Sequence, residues 1–120
     1  MKIILESCER DQMRFPSAGD GDWTWEGDTL HIRVVPQEDD NHTFLFALHE
    51  AVEAWLCKND GVSEEAVDAF DNSRAEYCAL YGLEQGDMDD APYREQHRKA
   101  MLLEHLMANF MGLSGYGEIR

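Results

Sequence analysis

The stretch FLFALHEAVEAWLC, residues 44–57, decides the fold of this chain. Its apolar residues recur at helical spacing, which predicts an amphipathic helix from about residue 43 to about residue 58. We expect Asn41 or Thr43 to cap its start, and the Asn-Asp-Gly run at 59–61 to end it. The stripe expected to face the core contains Leu45, Leu48, Val52, Trp55 and Leu56.

Ionisable residues interrupt this apolar helix. His49 and Glu53 are four positions apart, so they project from the same face. One helical turn can thereby offer an imidazole and a carboxylate to a single metal ion. Phe46 and Cys57 bracket the pair, and a carboxylate in apolar surroundings is costly without a partner. The partner could be a cation, an arginine or a hydrogen-bonded histidine.

The residues before this helix predict β-structure. Lys2–Leu5 reads as a short strand, and residues 11–22 read as a loop because they contain one proline and two glycines. Residues 23–26 and 29–35 alternate in polarity on either side of Gly27-Asp28. This pattern is typical of a β-hairpin.

Two further helices are predicted after the first. Ser63 caps a helix that continues to about Tyr81, and Asp90 caps another, with Pro92 in its first turn and Gly112 at its end. The fold class is therefore α+β, with a small antiparallel hairpin or sheet followed by three helices. One domain is expected, made of a β region at 1–36, a helical region at 42–112 and a loose tail at 113–120.

A metal ion on His49 and Glu53 needs a third protein ligand from another element. His97 on the third helix is the best candidate, because antiparallel packing of the first and third helices would turn it toward this pair. Its alternative role is a core-edge histidine bonded to a backbone carbonyl. The stripe that carries it contains Tyr93, His97, Met101 and Glu104, beside an expected core face of Leu102, Leu106 and Phe110.

Other polar residues complete the candidate site. Glu104 could be a fourth ligand, or it could accept a hydrogen bond from a ligand histidine. Asp71 on the second helix could bind or orient a ligand, although a solvated helix face is its more common role, and Tyr93 could stabilise charge. His31 and His105 are expected at the surface. His42 lies about 10 Å along the helix from His49, which is too far to share one ion.

Composition excludes several partners. The chain carries 25 acidic and 10 basic residues, a net charge of −15, so it would repel nucleic acids and anionic membrane surfaces. The charge favours solubility or a surface that imitates nucleic acid. Neither a signal peptide nor a membrane span is recognisable. Three cysteines at no metal-binding spacing indicate reduced thiols in the cytoplasm.

Strands followed by TFLFALHEAVEAWLC resemble the minimal zincin layout, in which a sheet edge precedes a helix with a His-Glu-x-x-(His/Glu) motif. The resemblance implies Zn²⁺ on His49, Glu53 and His97, with Glu50 as general base of a peptidase-like hydrolase. Glu53 stands where the signature has a second histidine, and its negative charge weakens the Lewis acid.

A second resemblance covers residues 44–111 and the hairpin before them. HEAVEAWLCKNDGVSEEAVDAFD and DDAPYREQHRKAMLLEHLMA are similar to a family of small, mostly uncharacterised phage and prophage proteins. The shared features are a HE-x-x-E helix, a VD-x-FD segment and a PY-x-x-x-H segment. This similarity implies a phage protein in the host cytoplasm.

Two other classes of function stay open. Glu50-x-x-Glu53 and Glu65-x-x-Asp68 resemble the acidic motifs of MazG-type nucleoside triphosphate pyrophosphatases, which implies magnesium held by four carboxylates. The predicted hairpin does not belong to such an all-α bundle. The other class is a non-enzymatic acidic protein that inhibits a host protein through its surface and exposed Trp23 and Trp25.

Overall fold

The computed structural model describes residues 1–113 and 115–116. Three strands precede three helices, which confirms the predicted α+β class. The strands are β1 (Lys2–Ser7), β2 (Gly21–Glu26) and β3 (Thr29–Val34), and the helices are α1 (Asp40–Asp60), α2 (Glu64–Tyr81) and α3 (Arg94–Phe110). Short 3₁₀ turns lie at Arg10–Gln12 and Gln85–Asp87.

The sheet has the strand order β1-β3-β2. The predicted hairpin is present: β2 and β3 pair antiparallel, with Trp23 opposite Ile32, and Gly27 turns the chain with a positive φ of 59°. β1 pairs with β3 in parallel, so the sheet is mixed rather than purely antiparallel. The segment between β1 and β2 takes the chain from one edge of the sheet to the other. β3 then lies between these two strands and runs parallel to β1.

The core lies between the sheet and α1. Leu30, Ile32 and Val34 of β3 are buried on the face that α1 covers. The predicted apolar stripe of α1 is wrong in part, because Trp55 is 42 % exposed and Leu48, Val52 and Leu56 are only half-buried. α1 packs against the sheet and also against α3, so its buried face is rotated and includes Leu45, Ala47, His49, Glu53, Ala54 and Cys57.

The predicted core face of α3 is also wrong. Leu102, Leu106 and Phe110 are exposed, the last of them by 73 %. The buried face instead contains Gln96, His97, Ala100, Glu104 and Ala108. The two alanines allow α3 to approach α1 closely, and the polar residues between them form the candidate site.

Helix starts differ from the prediction at two places. The N-cap of α1 is Asp39, whose carboxylate accepts a hydrogen bond from the backbone N–H of His42 at 2.9 Å. α3 begins at Arg94, and Asp90 lies in the turn before it rather than at the cap. Ser63 does cap α2 as predicted, by accepting a hydrogen bond from the N–H of Ala66.

α1 and α3 run antiparallel. Asp60 at the end of α1 accepts a hydrogen bond from Gln96 near the start of α3, and His49 earlier in α1 meets Glu104 later in α3. Within the described part of the chain, no helix has the length and apolar character needed to cross a membrane. The predicted loose tail falls partly outside the described residues, but Tyr116 is half-buried and packs against His42.

Candidate metal centre

Three side chains from α1 and α3 meet at one point. Nε2 of His49 lies 3.1 Å from Oε2 of Glu53 and 3.2 Å from Nδ1 of His97. The last two atoms lie 3.0 Å apart. All three residues are buried, and each contributes one atom that could bind the same ion. The structure therefore brings together the three ligands proposed from the sequence.

The triangle formed by Nε2 of His49, Oε2 of Glu53 and Nδ1 of His97 fits a bound metal ion better than it fits bound protons. Four ligands at zinc distances of about 2.0–2.1 Å in tetrahedral geometry lie about 3.3 Å from one another, close to the three separations seen here. Protons alone satisfy the two contacts to the Glu53 carboxylate, but the contact between His49 and His97 then opposes two N–H groups. A cation bound by all three atoms removes that conflict.

Glu104 holds the ring of His49. Nδ1 of His49 donates to Oε1 of Glu104 at 2.8 Å, since an ionised carboxylate can only accept. This bond leaves Nε2 directed at the triangle, which is how metal-bound histidines are commonly oriented. The Tyr116 hydroxyl in turn donates to the other Glu104 oxygen. Glu104 thus takes the role of hydrogen-bond acceptor, one of the two roles predicted for it.

Trp23 orients Glu53 from the sheet. Its indole Nε1 donates to Oε1 of Glu53 at 3.1 Å, which leaves Oε2 to face the two histidines. Trp23 is only 4 % exposed, so the expectation of an exposed Trp23 is wrong. Its alternating position in β2 places it opposite Ile32, on the core side of the sheet. Trp25 is half-buried.

Two glycines border the site at close range. A Cβ at Gly86 would lie 2.3 Å from Cγ of His97, and a Cβ at Gly21 would lie 2.4 Å from Oε1 of Glu50. Both distances are too short for any side chain to be added without movement of its neighbour. Gly86 in the turn before α3 and Gly21 at the start of β2 therefore set the positions of His97 and Glu50.

The carboxylates and imidazoles stabilise one another's charges. Burial opposes protonation of His49, yet its hydrogen bonds to Glu104 and Glu53 raise its pKa to about 11. Burial also opposes ionisation of Glu53, but hydrogen bonds from His49 and His97 lower its pKa to about 2. In the absence of a metal ion, the histidines hold protons where the ion would bind, so metal binding must release protons.

Glu50 has a different environment from Glu53. Glu50 lines the cavity into which the triangle opens, and no described residue donates a hydrogen bond to its carboxylate. Burial and the neighbouring Glu53 carboxylate raise the pKa of Glu50 well above its usual range. In its ionised form, a carboxylate with a raised pKa and no hydrogen-bond donor among the described residues can accept a proton from a water molecule.

The triangle opens into a cavity of about 380 Å³ between α1, α2, α3 and the start of β2. Eight carboxylates line it, and the described lining residues include no lysine or arginine. Arg10 and Arg14 pair with only three of these acids from outside. The eight are Asp20, Asp22, Glu50, Glu53, Asp68, Asp71, Glu84 and Glu104.

Asp71 and Tyr93 meet at one wall of this cavity. The hydroxyl of Tyr93 donates to Oδ1 of Asp71, so Asp71 faces the site rather than solvent. Burial raises the pKa of Asp71 to about 7, against the opposing effect of the hydrogen bond from Tyr93. The Asp71 carboxyl does not belong to the group of three converging ligand atoms.

The other histidines lie apart from the triangle. His31 is half-buried beside Glu6 on the sheet, and His42 caps α1 with Asp39. His105 was expected in solvent, but it lines the cavity with its ring 6.0 Å from that of Tyr116. His105 is half-buried there, and its ring packs against that of Tyr116.

Three of the four acids of the magnesium alternative have other partners or are exposed. Glu65 is exposed, and Asp68 accepts hydrogen bonds from Arg14. Glu53, the fourth-position acid of the first motif, is bound to Trp23 and the histidines. The remaining acid, Glu50, lines the cavity together with Glu53 and Asp68. The magnesium site stays a prediction.

Sequence reasoning missed the roles of four residues that shape the site: Trp23, Glu84, Gly21 and Gly86. The inward register of Trp23 could have been read from its place in the hairpin. Nothing in the local sequence pattern marks the other three, because their roles depend on contacts between segments distant in the chain.

No family model, curated protein or solved structure matches this chain. The resemblances to zincins and to phage proteins stay predictions. The functional assignment rests on the geometry of the site.

Proposed function

We propose that this protein binds one Zn²⁺ ion through His49, Glu53 and His97 and acts as a zinc-dependent hydrolase. The observation that supports the proposal is the convergence of three buried ligand atoms, 3.0–3.2 Å apart, at the wall of an open cavity. Two nitrogens and one carboxylate oxygen form a ligand set that is typical of catalytic zinc, with a fourth position left for water or substrate.

The residues around the triangle have distinct roles in this proposal. A zinc ion bound there would lower the pKa of a water molecule in the open position. Glu50 accepts the proton of that water and later returns it to the leaving group. Glu104 and Trp23 keep His49 and Glu53 in their binding orientations.

The charge of the cavity favours neutral or cationic substrates. Even with Glu50 and Asp71 protonated, six carboxylates remain, and they exceed the four positive charges of Arg10, Arg14 and one zinc ion. An anionic substrate such as a nucleotide would be repelled at the entrance, whereas a peptide with lysine or arginine would be attracted. The same charge disfavours the pyrophosphatase alternative.

The first experiment measures the metal content of the tag-free protein by elemental mass spectrometry. Wild type is expected to hold about one zinc per chain, and both His49→Ala and His97→Ala to hold none. His42→Ala, which changes a histidine of α1 outside the triangle, is the matched control and should keep its zinc. Wild type without zinc, including after incubation with Zn²⁺, overturns the proposal.

A second experiment separates binding from catalysis. Zinc-loaded wild type and Glu50→Gln are compared on peptide libraries that contain basic, neutral or acidic residues. The variant should keep its zinc, while hydrolysis falls by about 10²–10⁴-fold because the proton acceptor is gone. If wild type with bound zinc cleaves none of the three libraries, the hydrolase part of the proposal fails and a binding site remains.

A further inference from the structure

His97 has a second nitrogen with metal-binding neighbours. Its Nε2 lies 3.1 Å from Oε2 of Glu84 and 3.2 Å from Oδ1 of Asp87. Neither contact has hydrogen-bond geometry, so Nε2 is a buried polar atom without a hydrogen-bond partner among the described residues. His97 is 5 % exposed, and its three-residue cluster with Glu84 and Asp87 has the spacing to hold a metal ion.

This outer cluster differs from the inner triangle in its access to solvent. The side chains of Glu84 and Asp87 are 60 % and 58 % exposed. They stand on the turn Gln85–Asp87, whose Gly86 packs against the ring of His97. The inner ligands His49 and Glu53 are buried. The outer carboxylates are therefore more accessible to an ion from solvent than the inner ligands are.

The two positions exclude each other through one ring. A neutral imidazole has one nitrogen with a free lone pair, and the other nitrogen carries a proton. With an ion on Nε2, Nδ1 donates its proton to Glu53. With an ion on Nδ1, Nε2 carries a proton that faces the carboxylates of Glu84 and Asp87.

We propose that Glu84, Asp87 and Nε2 of His97 form a loading site, which captures a divalent cation and passes it to the inner triangle. This inference rests on the inner zinc site proposed above. During transfer, the ring releases the Nδ1 proton to water and takes a proton from water at Nε2, so its total protonation does not change. The two exposed carboxylates attract the ion, and the acidic cavity beside them favours its entry.

The kinetic test follows Co²⁺ uptake by stopped-flow absorption in the metal-free protein. Glu84→Gln/Asp87→Asn should lower the association rate at least tenfold relative to wild type. Glu9→Gln/Asp11→Asn removes the same charge from two exposed positions elsewhere, and should leave the rate within twofold of wild type. If the loading-site variant associates like the control, the proposal is overturned.

The off-rate separates loading from simple support of His97. Carboxylates that only accept a hydrogen bond from Nε2 would hold the ligand ring in place, and their loss would speed Co²⁺ dissociation with little effect on association. That result would also overturn the loading site. Circular dichroism of each variant checks that the fold is retained.

An equilibrium test isolates the outer site. His49→Ala removes an inner ligand, and this variant should still bind Co²⁺ more weakly at the outer cluster. Adding Glu84→Gln/Asp87→Asn to His49→Ala should abolish the remaining binding. Wild type with one inner ion but no residual binding in His49→Ala refutes the loading site alone. Wild type without an inner ion, beside residual binding in His49→Ala, refutes both the zinc enzyme and the transfer step, and leaves the outer cluster as a cation site only.

Discussion

His97 and Glu50 owe their positions to glycines that lie far from them in the sequence. The ring atoms of His97 closest to a Cβ at Gly86 include Cγ, which is near the root of the side chain and cannot move alone. At Gly21 the closest atoms belong to the flexible carboxylate end of Glu50. The two positions therefore have different tolerance for a methyl group.

Gly86→Ala should weaken zinc binding by about 10–100-fold, because it displaces a ligand ring. Gly21→Ala should leave the zinc affinity within about threefold of wild type, since it displaces only Glu50, which binds no metal. Competition with a fluorescent chelator measures both affinities. Equal losses in the two variants would show that the Gly86–His97 contact has no special role.

Asp71 gives the metal-free protein a predictable pH dependence. Its folded-state pKa of about 7 exceeds the unfolded value, so the folded state binds this proton more tightly. The stabilisation of the folded state by the proton on Asp71 is complete below about pH 4 and is lost as pH rises through about 7. This change amounts to up to about 4 kcal/mol in the free energy of unfolding.

Asp71→Asn cannot ionise, but its amide oxygen can still accept the bond from Tyr93. The difference in the free energy of unfolding between the variant and wild type should therefore favour the variant more at pH 8 than at pH 5. Urea unfolding with a chelator present measures this difference, and Asp89→Asn controls for removal of one exposed charge. A pH-independent difference between Asp71→Asn and wild type would contradict the buried state assigned to Asp71.

At the scale of elements, the site depends on how β2 and α3 meet α1. α1 supplies two of the three proposed ligands, α3 supplies the third and Glu104, and β2 supplies the indole that donates to Glu53. Since these elements come together only in the packed core, the site residues form part of that core. A substitution in the sheet that disturbs this packing should therefore change the affinity for the metal ion.

Trp23→Phe tests this link between sheet and site. It keeps most of the apolar contact of Trp23 but removes the donor to Glu53, so the free energy of unfolding should fall by about 1–3 kcal/mol. Zinc affinity should fall by about tenfold, because Glu53 is less well oriented. Trp25→Phe is the matched control, since Nε1 of Trp25 has no hydrogen-bond partner in the described part of the chain. Equal effects of the two changes would refute the role of the Trp23 bond.

At the scale of the whole molecule, the net charge of −15 opposes compaction. Several of the negative charges gather around one cavity, where a bound cation offsets their repulsion. A ligand that binds the folded chain alone stabilises it in proportion to the logarithm of its concentration over Kd. Bound zinc should therefore stabilise the folded protein in addition to its proposed role in hydrolysis.

Zinc at 100 times its Kd should raise the free energy of unfolding by about 2.7 kcal/mol, and Tm should rise with zinc concentration. Differential scanning calorimetry of metal-free protein with added Zn²⁺ measures the shift. His49→Ala should show no shift of this size, and Mg²⁺ at the same concentration should shift wild type much less. A shift that is the same for His49→Ala would place the bound zinc outside the triangle.

Local sequence patterns were sufficient for the order of elements. The alternation around Gly27-Asp28 gave the hairpin, and the helical spacing of residues 44–57 gave α1 with His49 and Glu53 on one face. These features depend on backbone periodicity and turn chemistry, which a short segment carries by itself. His97 could be selected because it shares a helical stripe with Glu104.

Tertiary structure alone decided which helix faces are buried and what surrounds the ligands. The sequence placed the cores of α1 and α3 on their largest apolar residues, whereas the packed faces use alanines, His49, Glu53, His97 and Glu104. Helix packing selects faces that fit together closely, and hydrophobicity along one helix does not contain that information. The approach of Gly86 to His97 and the bond from Trp23 to Glu53 are decided in the same way, by contacts between distant segments.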